Sequence, residues 1–129
     1  MKLVKICLTA ALWWGAACGA RAADVAAGEK IFTKCMQCHH IGLGATNFYG
    51  PVLNGLIGRK AGTVPGYDYS DATRRSGIVW TYETLSSYLK QPQHDVPDTE
   101  MTFPGLKSQK DVDDVIAYIS QFRRDGGKN

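Results

Sequence analysis

Apolar side chains at Val112, Val115, Ile116, Ile119 and Phe122 recur at the three- and four-residue intervals of one face of an α-helix, with polar residues between them. The pattern predicts a helix from Gln109 to Arg123, opened by Ser108 with Asp111 in the arrangement of a capping box. A second helical pattern runs from Val25 to Cys38, with Asp24 as N-cap and Gly28, Phe32 and Cys35 on one face. The apolar stripe of the last helix is expected to pack on this first one. Gly28, having no side chain, would let Tyr118 or a neighbour come close, at some cost in helix propensity. Thr81 could cap a third helix from Tyr82 to Gln91 that buries Leu85, Tyr88 and Leu89, and Pro92 would end it. Pro51, Gly55, Gly58, Gly62, Pro65 and Gly66 make the intervening stretch loop, apart from one helical turn from Asp71 to Ser76 between Ser70 and Gly77. No sheet is expected.

The first residues do not belong to that pattern. Lys2 and Lys5 precede an apolar stretch from Ile6 to Ala17, and Ala20-Arg21-Ala22 offers a small-x-small cleavage site, as in an export signal cut after Ala22 or Ala23. The stretch is too short for a spanning helix, so a lasting membrane anchor is disfavoured. Cys18 permits lipid attachment, but Gly15 stands where a lipobox usually carries a branched apolar residue. The expected division is a signal peptide at 1–23 and one domain at 24–129, exported to the periplasm.

Removing the leader changes the charge and the cysteine count. The whole chain has a formal charge of +3, but without Lys2, Lys5 and Arg21 it retains 12 basic residues against 12 acidic ones. A nucleic-acid or anionic-membrane role therefore lacks electrostatic support. Cys7 and Cys18 leave as well, so the remaining cysteines are Cys35 and Cys38. About a hundred residues make a small domain for a self-sufficient apolar core.

Those two cysteines lie in Cys35-Met36-Gln37-Cys38-His39, a CxxCH pentapeptide. In an exported chain it reads as the attachment site of one c-type haem. Two thiols about a turn apart can each add to a vinyl group on one porphyrin edge, and the histidine that follows faces the iron. A zinc site would need four ligands, and the mature chain lacks a second cysteine pair. A buried porphyrin would also complete the interior. His39 fills one axial position. Met36 and His40, held in the attachment turn, cannot reach the other face, which leaves Met101 and His94. Met101 is favoured, because Pro97, Pro104 and Gly105 frame it in an extended loop suited to holding a weak thioether.

Further stretches carry a resemblance: Gly28-x-x-Ile31-Phe32 before CxxCH, Gly50 to Arg59, Tyr69-Ser70-Asp71-Ala72, Gly77-Ile78-Val79-Trp80, Glu83-Thr84-Leu85 with Tyr88-Leu89, and Thr99-Glu100-Met101-Thr102-Phe103. In this order and spacing the chain resembles the class I cytochromes c, the short soluble carriers of mitochondria and bacteria, over nearly all of its mature length. The resemblance implies an all-α cytochrome c fold, with three main helices and loops wrapped around one haem attached through Cys35 and Cys38. It implies that Pro51 accepts the second ring proton of His39, and that Arg59, Tyr69 and Trp80 surround a buried haem propionate. It also places Tyr88 and Thr99 near the sulfur of Met101 and makes Phe103 a cover over the haem beside its exposed edge. His39 and Met101 would ligate the iron.

Two features depart from the family. Thr73 stands where an asparagine is common, and the lysine ring of the mitochondrial type is thinned: Lys30, Lys34 and Lys107 remain, while Gln93, His94 and Glu100 replace basic residues. The function implied is outer-sphere transfer of single electrons by a monomeric carrier that is not an enzyme. Its partners would be a membrane oxidoreductase, a periplasmic dehydrogenase or a terminal oxidase. Two alternatives are a haem enzyme or small-ligand sensor whose sixth ligand leaves, and a docked haem subunit of a larger oxidoreductase.

Overall fold

The computed structural model describes residues 22–129; residues 1–21 of the expected leader, Cys7 and Cys18 included, lie outside the described residues. Five helices follow in order: α1 Val25–Phe32, α2 Asp71–Arg75, α3 Tyr82–Lys90, α4 Pro92–Asp95 and α5 Gln109–Ser120. The described residues form no sheet, only isolated bridges pairing Lys60 with Val79 and Phe122 with Lys128. Among them, no helix is long and apolar enough to cross a membrane.

Helices α1 and α5 make the principal contact, and Gly28 is its closest point. A Cβ at Gly28 would lie 1.9 Å from the carbonyl oxygen of Asp114 and 2.9 Å from Cβ of Tyr118. The missing side chain thus lets the two backbones meet, and the expectation for this glycine holds. Around the crossing, the rings of Phe32 and Tyr118 meet tilted at 47° with 5.3 Å between centroids, and Val112, Val115, Ile116 and Ile119 are buried. Asp114 is buried on the same face, where its carboxylate accepts the Asp24 amide at 2.8 Å and Lys110 Nζ at 2.7 Å. A buried carboxylate requires such donors. The N-terminus of α1 is thereby tied to the middle of α5.

Three helix ends differ from the sequence expectation. The first helix stops at Phe32 rather than Cys38, and the physical reason is Thr33. Its hydroxyl donates to the Lys30 carbonyl at 2.7 Å, occupying the acceptor an α-helix would give to Lys34. The Lys34 amide turns instead to Ile31, one residue closer, and the chain continues as tight turns. Pro92 does not simply terminate α3; after α3 ends at Lys90, Pro92 opens the one-turn α4, where a missing N–H costs nothing. The last helix ends at Ser120 rather than Arg123, yet Phe122 stays buried. At its start Ser108 accepts the Asp111 amide at 3.3 Å. A reciprocal capping box forms at Thr81 and Thr84, on α3. The turn over Asp71–Arg75 is capped by Ser70 and followed by Gly77 at φ 69°.

Candidate functional site

The turns after α1 present the cysteine pair. The Cys38 amide donates to the Cys35 carbonyl at 3.0 Å and the His39 amide to the same oxygen at 2.8 Å, so both thiols and the imidazole leave one tight turn. Both cysteines are free, Cys35 half-buried and Cys38 exposed. Burial pushes the Cys35 thiol up to about 11 against the pull of Lys34, so it is not a thiolate at neutral pH.

The imidazole of His39 is held from two sides. Its Nδ1 lies 2.8 Å from the Pro51 carbonyl oxygen, which can only accept; Nδ1 therefore carries the proton and Nε2 a free lone pair. Burial lowers the His39 pKa although the Pro51 bond works the other way, so the ring is neutral, the form that ligates a metal. Across the ring sits Gly50, where a Cβ would come within 2.4 Å of His39 Cε1; its amide donates to Cys38 at 2.7 Å. A side chain at that position would displace the imidazole.

Arg59 and Asn54 brace the Pro51 loop. The Arg59 guanidinium donates to the carbonyls of Asn54 at 3.0 Å and Val52 at 3.1 Å. Buried Asn54 accepts the Gly42 amide at 2.8 Å and donates to the Gly42 carbonyl at 2.9 Å, which pins the loop after His40. Trp80 is bound to this region through its amide on the Arg59 carbonyl at 2.9 Å, and Tyr69 accepts the Val64 amide at 3.3 Å. Burial pulls the Arg59 pKa down and pushes that of Tyr69 up, while the field of each partly offsets the shift in the other.

A second polar group forms around the Met101 loop. The Tyr88 hydroxyl and Thr99 Oγ1 lie 3.0 Å apart in the interior, and Thr99 Oγ1 accepts the Met101 amide at 3.3 Å. Gln93 Nε2 donates to the carbonyls of Thr99 at 2.9 Å and Met101 at 3.4 Å. Trp80 meets Tyr88 in a tilted ring contact at 4.9 Å, and Met101 and Phe103 pack against the core. His94 lies on the surface with Nδ1 2.9 Å from Asp95. Sequence reasoning named Tyr88, Thr99 and Met101 but missed Gln93, Asn54 and Gly50 as supports. An asparagine inside the apolar run Val52-Leu53-Asn54-Gly55-Leu56 was a visible signal for a buried clasp. Gln93 carried none, because its partners are backbone carbonyls, Thr99 and Met101 in the loop that follows α4, and a backbone acceptor leaves no mark in residue types.

The residues present fit a c-type haem. Two thiols and a neutral imidazole with its Nε2 lone pair free leave one turn. Among the described residues no group of three or more His, Cys, Asp or Glu could hold a bare metal ion, so a zinc site has no ligand set.

Fold and site define a c-type cytochrome. The family model "Cytochrome c" matches residues 25–123, and the chain belongs to that family. It is 51% identical to cytochrome c2 of Blastochloris viridis over 109 residues, 84% of this chain and 86% of that protein. It is 48% identical to cytochrome c-550 of Bradyrhizobium diazoefficiens over 101 residues, 78% of this chain and 74% of the relative. Among solved structures, cytochrome cH from Methylobacterium extorquens superposes with a TM-score of 0.71 at 44% identity, covering 76% of this chain and 98% of its own. The protein is a soluble class I electron carrier with haem attached at Cys35 and Cys38, not an enzyme.

Proposed function

We propose that the chain carries single electrons in the periplasm with its iron held between His39 Nε2 and Met101 Sδ. The observation that carries this reading is the His39–Pro51 bond of 2.8 Å beside the free Cys35 and Cys38 thiols. When bound, haem supplies a one-electron couple that changes charge without bond making at a substrate. The protein's part is to keep still His39 and Met101, the residues that would hold the iron. Pro51 fixes the tautomer of His39 and strengthens its donation, and Gly50 holds the ring plane. Thr99 and Gln93 restrain the backbone at Met101, and the Tyr88 hydroxyl holds Thr99 Oγ1 in turn.

Arg59, Tyr69 and Trp80 are proposed to receive a propionate, and Phe103 to screen the haem from water. Support comes from the field between Arg59 and Tyr69 and from the joined backbones of Arg59 and Trp80. The leader at 1–23 would route the chain out of the cytoplasm. The partners would then be redox proteins there: a membrane oxidoreductase, a dehydrogenase or a terminal oxidase.

The test is the absorption spectrum of the exported holoprotein followed by redox titration. A ferric sulfur-to-iron charge-transfer band, slow cyanide binding and a reversible one-electron couple are expected. Absence of the band with rapid cyanide binding at neutral pH would replace the carrier by a protein with an open sixth position. Co-elution with a large enzyme on gel filtration of periplasmic extract would make it a docked subunit.

A further inference from the structure

Residues 35–58 contain no Asp, Glu, Lys or Arg. It is the longest uncharged run among residues 22–129, and it carries the attachment cysteines and the loop folded against them. Its exposed members are large: Leu43 is 83% exposed, Tyr49 75%, Met36 58% and Phe48 49%. Apolar residues scattered singly on a surface need no explanation, but here they are joined. Phe48 stacks on His40 at 5.0 Å and meets Tyr49 at 4.4 Å, and a groove of about 320 Å³ runs from Met36, Ile41 and Leu43 to Phe32, Tyr118 and His39.

The face is also rigid. The Phe48 amide donates to Gly50 at 3.0 Å, the Gly50 amide to Cys38 at 2.7 Å, and the Tyr67 hydroxyl to the Tyr49 carbonyl at 2.7 Å. These bonds fix the backbone that carries Phe48 and Tyr49, whose aromatic side chains have only two torsions to lose when covered, and the centres of protein interfaces are aromatic-rich and charge-poor.

We propose that this uncharged face, Met36, Leu43, Phe48 and Tyr49 beside Cys38, is the docking surface for a redox protein whose own contact face is apolar and uncharged. The inference rests on the carrier reading, since an electron crosses between partners where the cofactor-bearing turn is nearest to the surface. Charge complementarity selects the occupant. Within residues 35–58 an acidic partner finds no cation and a basic one no carboxylate; charge stands only at the edge, Lys34 before Cys35 and Lys128 at 5.7 Å from the Tyr118 ring, so an apolar face covers the centre of the patch without stripping water from an ion. Binding is then driven by burial and insensitive to salt, unlike docking steered by lysines.

The test uses the holoprotein on gold electrodes bearing methyl-terminated or carboxylate-terminated alkanethiol layers. Adsorbed mass is followed on a quartz crystal and electron transfer by voltammetry from low to high ionic strength. Uptake on the methyl-terminated layer that persists at high salt is expected. A Leu43→Glu/Tyr49→Glu variant should bind it at least about tenfold more weakly, the loss of one or two buried apolar side chains. Tyr49→Ser is a milder second variant, and an unchanged visible spectrum shows that either has folded. Lys34→Gln should leave uptake unchanged. Uptake confined to the carboxylate layer and abolished by salt, or a folded Leu43→Glu/Tyr49→Glu variant that binds as tightly as the parent, overturns the inference. A redox titration with small mediators separates the two levels: a reversible couple together with failed uptake leaves the carrier standing and ends the docking proposal. Loss of the couple in the unmodified protein ends both.

Discussion

Gly28→Ala is the sharpest test of how α1 and α5 are held. In an exposed helix this change stabilises by about 1 kcal/mol, because glycine costs that much relative to alanine. Here the added Cβ would stand 1.9 Å from the Asp114 carbonyl oxygen, and real Cβ contacts essentially never fall below 3.0 Å. The obstructing atom is backbone in the middle of a helix, so no rotamer change relieves it. The helices must part by an ångström or more. A gap of 0.5–1 Å already forfeits a quarter to a half of each dispersion contact, and it would loosen Phe32 against Tyr118 and the bond from Asp24 to Asp114. Overpacking costs typically ~1–3 kcal/mol, and against rigid backbone the upper end of about 3 kcal/mol applies; with the propensity gain of ~1 kcal/mol subtracted, the net loss expected is ~2 kcal/mol. In urea denaturation of the mature holoprotein the midpoint should fall by about 1–2 M. The exposed Ala26→Gly, on the same helix, reports the propensity effect alone and should cost ~1 kcal/mol. A Gly28→Ala protein as stable as the parent, or more stable, would refute the close crossing.

Other outcomes follow from the site. Asn54→Ala removes both bonds to the Gly42 backbone and should lower stability by ~1–3 kcal/mol, read by thermal unfolding, whereas an unchanged midpoint would show that the clasp contributes nothing. Burial raises the pKa values of Tyr88 and Tyr69 above the ordinary phenol value of 10.0. The unfolded chain then loses these protons first, so their contribution is full below pH 10 and declines as pH rises through the folded values. Denaturation midpoints at pH 8 and 11 measure the decline, and Tyr88→Phe should make it shallower. Met101→Leu should abolish the sulfur-to-iron band and speed cyanide binding, with His39 retained. Persistence of the band in that variant would exclude Met101 as the ligand.

Helix periodicity, caps and chemistry were legible in the chain because each depends on neighbours in sequence. Val112, Val115, Ile116 and Ile119 lie in the interior as their spacing required, and Asp24, Ser70, Thr81 and Ser108 cap the helices they precede. The CxxCH turn needs only five consecutive residues to set out two thiols and an imidazole. Helix ends were less legible. Thr33 stops α1 through a hydroxyl bond that propensity alone does not foresee, and Pro92 begins a turn as readily as it ends one.

Tertiary structure decided what long-range contacts decide. That the Gly28 gap receives the Asp114 carbonyl and that the Asn54 amide clasps the Gly42 backbone join residues whose separation in sequence carries no periodic signal. The same holds for the uncharged face: its composition could be read from residues 35–58, but only folding brought Phe48 onto His40 and Gly50 onto Cys38. Local backbone preferences and side-chain alternation are properties of short segments, whereas a shared surface exists only after loop closure has brought distant segments together.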